Sequence, residues 1–220
     1  MMKKFDFFIF DLDGTLLDTA KDFYISINIL KSRYSLDEEN FEEIRNRVSE
    51  GSASLVKYAM NLSDTDKNSI EIYRRKLLSI YEEHLLDETN IFDEMQEVLT
   101  ELNKKNIEWG IVTNKPKKYA DKIVSKLLLS YKPLFLICPE DVGVSKPDPK
   151  GIIKALSLSK KNKNNAIYIG DHIKDIQAGS AAKVATMVAA YGYLNKDDNP
   201  LDWQADFIIN SPKEIHNFIK

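Results

Sequence analysis

The stretch Phe5-Asp6-Phe7-Phe8-Ile9-Phe10-Asp11-Leu12-Asp13-Gly14-Thr15 decides how the rest of the chain is interpreted. Residues 5–10 are almost all apolar and stop at Asp11, so they predict a short buried strand. Asp11 and Asp13 follow at its carboxyl end, and Gly14 permits a tight turn whose N–H groups can bind an anion. The stretch therefore predicts a strand that ends in a chemical site, although an Asp-x-Asp pair alone also occurs by chance in turns.

Apolar runs of the same kind recur along the chain, at residues 108–113, 133–138, 166–170, 184–189 and 206–209. Segments with helical spacing alternate with these runs, at residues 93–105, 116–129, 148–158, 174–182 and 212–219. Strands that alternate with helices form a mainly parallel sheet with right-handed crossovers. We therefore predict an α/β fold with a Rossmann-like parallel sheet core.

One long segment, residues 18–89, interrupts this alternation. It contains no strand pattern, whereas Leu55, Val56 and Met60 recur at helical spacing. We interpret residues 18–89 as an inserted helical cap domain, called the cap segment below. Residues 1–17 and 90–220 then form the sheet core.

Composition excludes several classes of function. The chain has 220 residues, 43% of them hydrophobic, and a formal net charge of −3, so it lacks the basic surface of a nucleic-acid-binding protein. No apolar run approaches the roughly 18 residues of a membrane span. A single cysteine, Cys138, excludes an internal disulfide and favours a reducing, cytoplasmic location. We expect a monomer or small homo-oligomer whose partner is a small molecule.

Polar residues follow four of the predicted strands. Ligands bind an open parallel sheet at the carboxyl ends of its strands. Four separate strand ends are therefore expected to deliver their polar groups to one edge. The residues at these ends are Asp11, Asp13, Thr113, Asn114, Lys146, Asp171 and, one helical turn later, Asp175.

These residue types suit the chemistry of phosphate esters. A carboxylate such as Asp11 can attack phosphorus, and a second one, Asp13, can protonate the leaving oxygen and later deprotonate water. Thr113 and Lys146 can hold phosphoryl oxygens. Several carboxylates at one place repel one another unless a hard cation such as Mg²⁺ binds between them. Each pattern alone has an ordinary explanation as a turn, loop or helix cap, but their conjunction in this order indicates a catalytic site.

The four motifs resemble those of the haloacid dehalogenase superfamily. The matching runs are Asp11-Leu12-Asp13-Gly14-Thr15-Leu16, Ile111-Val112-Thr113-Asn114-Lys115, Ser145-Lys146-Pro147-Asp148-Pro149 and Gly170-Asp171-His172-Ile173-Lys174-Asp175. The resemblance implies that Asp11 is the nucleophile and Asp13 the acid and base. It further implies that Mg²⁺ is held by Asp11, Asp13, Asp171 and Asp175. The implied phosphate-binding residues are Thr113, Asn114 and Lys146.

Two details place the chain within this superfamily. The dehalogenase branch lacks a carboxylate at the position of Asp13, so Asp13 favours phosphoryl transfer. The run Gly170-Asp171-His172 resembles the phosphoglycolate phosphatase branch, which includes N-acetylmuramic acid 6-phosphate phosphatases, and not the mutase branch with Glu-Asp-Ser. One departure is Ala182-Lys183, where this branch usually has Ala-Gly.

The resemblance implies a Mg²⁺-dependent phosphatase that forms an aspartyl phosphate and acts on a small phosphorylated metabolite. The leading substrate is 2-phosphoglycolate. The alternative is N-acetylmuramic acid 6-phosphate or another sugar phosphate. A phosphomutase and a non-catalytic binding protein are the rival functions.

Substrate choice is expected to lie in the cap segment, because the core motifs address only phosphate and metal. Residues 47–52 place a glycine and two hydroxyls between two predicted helices, and the resemblance implies that this loop contacts the leaving group. The alternative is an ordinary helix N-cap by Ser49 or Ser52, beside solvated arginines. The specificity candidates are Arg47, Ser49, Glu50 and Gly51.

Overall fold

A six-stranded parallel sheet lies at the centre of the protein, in a computed structural model that describes residues 3–220. The strands of this sheet are β1 (Phe7–Phe10), β4 (Glu108–Val112), β5 (Leu136–Ile137), β6 (Ala166–Gly170), β7 (Ala185–Ala189) and β8 (Phe207–Ile209). Two further strands, β2 (Leu17–Asp18) and β3 (Asn90–Ile91), form a separate two-stranded sheet. The sheet order is β5-β4-β1-β6-β7-β8, and every neighbouring pair is parallel. The predicted α/β fold with a parallel sheet core is confirmed.

Strand β1 is apolar throughout because it is covered on both faces. Phe8 pairs with Trp109 of β4 and with Ile167 of β6, so β1 lies between two strands. Phe8 belongs to one hydrophobic cluster, and the next residue, Ile9, belongs to another. A strand buried on both faces loses the polar alternation of a surface strand, which explains the continuous run from Phe7 to Phe10.

Helices cover the sheet and form the cap segment. They are α1 (Ala20–Ser32), α2 (Phe41–Arg45), α3 (Ser52–Ala59), α4 (Lys67–Glu83), α5 (Met95–Lys104), α6 (Lys117–Leu127), α7 (Pro139–Val142), α8 (Lys150–Ser159) and α9 (Ile173–Ala181). Short 3₁₀ helices span Val48–Glu50, Leu129–Tyr131, Lys163–Asn165, Pro200–Trp203 and Pro212–Phe218. Among the described residues, no helix is long and apolar enough to cross a membrane.

The cap segment packs around its own hydrophobic cluster. Helices α1 to α4 contribute side chains such as Ile27, Leu55 and Leu77 to it, and Tyr119 and Tyr193 enter it from the core. The predicted helical character of residues 18–89 is therefore seen in the structure. Their assignment as a separate domain stays a prediction.

Two expectations about secondary structure are wrong. The sequence predicts that the segment from Asp18 onward has no strands, yet Asp18 lies in β2, which pairs antiparallel with β3. The two strands lie at the two places where the chain passes between the core and the cap segment. Strands of two residues are too short to show a hydrophobic periodicity in the sequence. The last predicted helix, residues 212–219, is instead the 3₁₀ helix Pro212–Phe218.

Lys183 occupies a backbone conformation that glycine adopts more readily. Its φ is +61°, and it lies two residues beyond the end of α9. Helices commonly end with a left-handed residue, usually glycine, because a side chain is strained there. The departure from the usual Ala-Gly therefore affects a helix end and no residue of the predicted site.

Candidate active site

Strand ends bring the predicted carboxylates together. Asp11 directly follows β1, and its N–H donates to the carbonyl oxygen of Ile169 in β6, at 2.8 Å. Asp171 directly follows β6, and Asp175 lies in the first turn of α9. One carboxylate oxygen from each of Asp11, Asp171 and Asp175 lies within 4.8 Å of the others, and all three residues are buried.

Lys146 supplies a positive charge inside this cluster. Its Nζ lies 2.8 Å from Asp11 Oδ1 and donates to Asp175 Oδ1 at 2.6 Å. Nζ also donates to the hydroxyl of Tyr168, which itself contacts Asp175 Oδ1 at 3.1 Å. Burial alone would lower the pKa of Lys146, but the charges of Asp11 and Asp175 raise it above its usual value. Lys146 therefore stays cationic between two carboxylates.

One lysine does not balance three buried carboxylates. Burial, with the charges of Asp175 and Asp13, raises the pKa of Asp11 from 3.8 to about 6, against the opposing effect of Lys146. Burial and the charges of Asp175 and Asp11 raise the pKa of Asp171 well above its usual range. Their ionised forms therefore need a further cation nearby.

The donor set fits a hard divalent cation. Asp11 Oδ1 is buried and accepts no hydrogen bond of acceptable geometry among residues 3–220, although Lys146 Nζ is close to it. Carboxylate oxygens are the ligands that Mg²⁺ and Ca²⁺ prefer, and Mg²⁺ is the usual partner of bound phosphate. Asp11 and Asp171, with Asp175 beside them, are suited to hold Mg²⁺. Asp13, through its carbonyl oxygen, stays a predicted ligand that only the resemblance implies.

Gly14 allows Asp171 to approach the turn after β1. A Cβ at Gly14 would lie 2.1 Å from Asp171 Oδ2, and Gly14 has a φ of +74°. Asp171 Oδ2 also accepts the N–H of Tyr193 at 2.9 Å and the hydroxyl of Ser49 at 2.7 Å. The position thus requires glycine both for its backbone angle and for space. Ser49 connects the cap segment directly to a candidate metal ligand.

Thr113 and Asn114 have different surroundings. Thr113 Oγ1 accepts the N–H of Lys115 at 3.1 Å, which leaves its own proton for a ligand. Asn114 exchanges two hydrogen bonds with the backbone of Lys146, at 2.8 and 3.1 Å. Asn114 therefore holds the loop that carries Lys146. Direct contact of either residue with phosphate stays a prediction.

A cavity of about 90 Å³ lies between the core and the cap segment. The core contributes Asp11, Asp13, Thr113, Asn114, Lys115 and Tyr119, and the cap segment contributes Phe23, Val48, Ser49, Gly51, Ser52, Leu78 and Tyr81. The cavity is thus polar on the core side and largely apolar on the cap side. It lies between the predicted nucleophile and the predicted specificity loop.

The four specificity candidates divide into two pairs. Ser49 and Gly51 line the cavity. Arg47 instead pairs with Glu43 at 2.8 Å and lies 3.9 Å from the ring centre of Tyr58. Glu50 accepts the side-chain amide of Asn195 at 2.8 Å. Ser49 and Gly51 therefore face the cavity, whereas Arg47 and Glu50 make contacts within the cap segment and with the core. Contact of any of the four with a leaving group stays a prediction.

Lys115 is a site residue to which sequence analysis assigned no role. Its Nζ donates to Asp13 Oδ1 at 2.8 Å and to the hydroxyl of Tyr81 at 2.7 Å. Its place directly after Thr113 and Asn114 was the available signal. Tyr81 gave no signal, because it lies in a helix far from any strand end.

Comparisons with known proteins show the family of this chain. A family model described as haloacid dehalogenase-like hydrolase matches residues 8–189. An N-acetylmuramic acid 6-phosphate phosphatase of Pseudomonas aeruginosa is 35% identical, over 94% of this chain and 91% of its own length. A phosphoglycolate phosphatase of Xanthomonas campestris pv. campestris is 32% identical, over 94% of this chain and 93% of its own length.

A solved structure shares the fold. It is a predicted phosphoglycolate phosphatase from Haemophilus somnus 129PT, with a TM-score of 0.84 and 22% identity, and the match covers 99% of each chain. At this identity the likeness concerns the fold, whereas the family match rests on the sequence. The chain belongs to the haloacid dehalogenase-like hydrolases.

Proposed function

We propose that this hydrolase is a Mg²⁺-dependent phosphatase that removes phosphate from a small phosphomonoester through an aspartyl-phosphate intermediate. The observation that carries the proposal is the position of Asp11. It lies within the carboxylate and lysine cluster and also lines the cavity that Asp13 borders. A nucleophile, a proton donor and a cationic group thus surround one small space.

The reaction has two steps on these residues. A carboxylate oxygen of Asp11 forms a bond to phosphorus while the ester P–O bond breaks, and Asp13 gives its proton to the leaving oxygen, which departs as an alcohol. Asp13 then takes a proton from water as the water oxygen bonds to phosphorus, and the bond from Asp11 to phosphorus breaks. Inorganic phosphate leaves, and Asp11 is again a carboxylate.

Charge stabilisation comes from the same cluster. Lys146 and the hydroxyl of Thr113 are proposed to hold the phosphoryl oxygens, with Asn114 keeping the loop of Lys146 in place. Bound Mg²⁺ would neutralise charge on the phosphoryl group, held by Asp11, Asp171, Asp175 and the carbonyl of Asp13.

The cavity favours 2-phosphoglycolate as the substrate. Its volume of about 90 Å³ suits a leaving group of a few atoms. Gly51 and Ser52 line it at the start of α3, and no side chain caps that helix. Free N–H groups at a helix N-terminus attract a carboxylate such as that of glycolate.

A second candidate substrate is N-acetylmuramic acid 6-phosphate. The relatives from Pseudomonas aeruginosa and Pseudomonas putida that carry this name are 35% and 34% identical to this chain. A leaving group of this size exceeds the closed cavity, so it requires movement of the cap segment. We propose that residues 18–89 form a cap that opens for substrate entry. We also expect the enzyme to be located in the cytoplasm.

A panel of phosphorylated metabolites, including both candidates, tests the proposal with purified protein and Mg²⁺. Inorganic phosphate released in step with substrate loss supports a phosphatase. An isomerised sugar phosphate without free phosphate would establish a mutase instead. The variant Asp11→Asn should lose at least about 10³-fold in kcat on p-nitrophenyl phosphate. The exposed control Asp121→Asn should retain full turnover, and retained turnover in Asp11→Asn would contradict the mechanism.

A further inference from the structure

Lys115 connects the acid and base residue to the cap segment. Its side chain is 3% exposed, so it is enclosed between the core and the cap segment. We propose that Lys115 is a positioning residue that holds Asp13 with Oδ2 free for proton transfer to the leaving group, and that it does so only while the cap segment is in place. This inference rests on the proposed function, in which Asp13 is the acid and base.

The two carboxyl oxygens of Asp13 have unequal surroundings. Oδ1 accepts the hydroxyl of Thr19 at 2.7 Å and Nζ of Lys115 at 2.8 Å. No hydrogen bond from residues 3–220 reaches Oδ2. An oxygen that accepts two hydrogen bonds has both lone pairs occupied, so the acid proton belongs on the other oxygen. Lys115 and Thr19 therefore leave Oδ2 as the oxygen that gives and takes the proton.

The cap segment holds Lys115 in this position. The hydroxyl of Tyr81 in α4 accepts its second hydrogen bond at 2.7 Å. Nζ also lies 5.2 Å from the ring centre of Phe23 in α1 and 4.9 Å from that of Tyr81. Aromatic faces attract a desolvated ammonium group. Opening of the cap segment would remove the aromatic contacts and the Tyr81 hydroxyl, and would leave Lys115 free to move away from Asp13.

Lys115 is already engaged by groups of the protein. Its charge faces Asp13 on one side and two aromatic rings on the other. Asp13 Oδ1 and the hydroxyl of Tyr81 occupy two of the three N–H donors of Nζ. The geometry thus assigns the lysine to Asp13, and the effect of its removal should depend on whether the leaving group needs a proton.

Two substrates separate this role from a merely structural one. p-Nitrophenolate leaves without a proton, whereas the alkoxide of an alkyl phosphate requires one. The value of kcat/KM includes only the steps up to release of the leaving group, so the later hydrolysis of the intermediate does not enter it. The comparison uses p-nitrophenyl phosphate and 2-phosphoglycolate, or the panel compound that the wild type turns over fastest.

Lys115→Met should lose about 10²-fold or more in kcat/KM on the alkyl phosphate and less than about tenfold on p-nitrophenyl phosphate. Asp13→Asn should show the same selective loss, and Lys115→Arg, which keeps a donor, should recover alkyl phosphate turnover to within about tenfold of wild type. If Lys115→Met does not fold, Lys115→Gln takes its place with the same expectation.

If Lys115→Met loses activity equally on both substrates, or on neither, and Asp13→Asn still shows the selective loss, the proposed role of Lys115 is overturned. A wild-type protein inactive on both substrates would overturn the proposed function itself, and the role of Lys115 with it. The two failures are therefore distinguishable.

Discussion

The two sides of the cavity are held in different ways. The core side is a buried network of charges, in which Lys146 contacts both Asp11 and Asp175. The cap side is largely apolar, and two of its hydroxyls reach the core: Ser49 contacts Asp171, and Tyr81 contacts Lys115. The loss of one member strongly destabilises a buried ion network, whereas a single hydrogen bond to a charged group contributes about 1.5–3 kcal/mol. The core side is therefore held by a charge network, and the cap side by individual contacts.

The largest expected effect on stability is that of Lys146→Met. It leaves Asp11 and Asp175 buried without their cation, which should lower the free energy of unfolding by about 3–5 kcal/mol. Urea denaturation without Mg²⁺ measures this effect. Lys126→Met, at an exposed position of α6, should change stability by less than about 0.5 kcal/mol. Equal effects of the two variants would show that the charge network is not a stabilising unit.

The pH dependence of the metal-free protein should reveal the same network. The pKa of Asp11 is raised from 3.8 to about 6 by burial, so its ionisation is less favourable in the folded state than in the unfolded one. Folding stability should therefore fall as the pH rises from about 4 to about 6, by an amount on the order of 3 kcal/mol for this group. Urea denaturation in EDTA measures the free energy of unfolding of wild type and Asp11→Asn at each pH. The difference between the two pH profiles gives the contribution of Asp11. Parallel profiles would contradict the assignment.

Mg²⁺ should raise thermal stability by neutralising the core side. At a concentration 100 times Kd, a ligand of the folded state adds about 2.7 kcal/mol, or roughly 5–10 °C for a chain of this length. Asp171→Asn should abolish most of this shift, because it removes a candidate ligand. Differential scanning fluorimetry with and without Mg²⁺ checks both values. An undiminished shift in Asp171→Asn would place the metal elsewhere.

Ser49→Ala should have a smaller effect, as expected for the cap side. It removes the hydrogen bond to the Asp171 carboxylate, whose Oδ2 also keeps the N–H of Tyr193, so stability without Mg²⁺ should fall by about 1.5 kcal/mol. Ser125→Ala, on an exposed turn of α6, is the matched control and should be neutral. A loss in Ser49→Ala as large as that in Lys146→Met would erase the difference between the two sides.

The smallest expected effect lies outside both sides of the cavity. Lys183→Gly relieves a side chain at a φ of +61° and should stabilise the protein by about 0.5–1 kcal/mol. Chemical denaturation measures the gain, and turnover of p-nitrophenyl phosphate should stay unchanged. A change in turnover would show that the helix end is coupled to the site.

Sequence reasoning succeeded where topology alone places a residue. Asp11, Thr113 and Asp171 each directly follow a strand of one parallel sheet, and the carboxyl ends of such strands share an edge. A strand that must be buried on both faces is visible as an apolar run, so the positions of the motifs that follow it are predictable from the sequence. The helical character of residues 18–89 is also visible in the sequence, because apolar residues recur there at helical spacing.

Sequence reasoning was less informative about the specificity loop. Arg47 and Glu50 have charged side chains in the predicted loop, yet they pair with Glu43 and Asn195. Ser49 and Gly51, two residues apart, line the cavity instead. Which side chains of a loop face inward depends on a short 3₁₀ helix, Val48–Glu50, that has no periodic signal.

The amino-acid sequence by itself determined the parallel sheet, the order of its motifs and the edge at which their polar groups meet, because strand burial and chain direction are local properties. Only the tertiary structure decided that Lys115 contacts Asp13 and Tyr81, residues 102 and 34 positions away. It also decided that β2 pairs with β3, and that Ser49 reaches Asp171. These contacts depend on how the cap segment packs on the core, and side-chain packing between distant segments leaves no pattern in either segment alone.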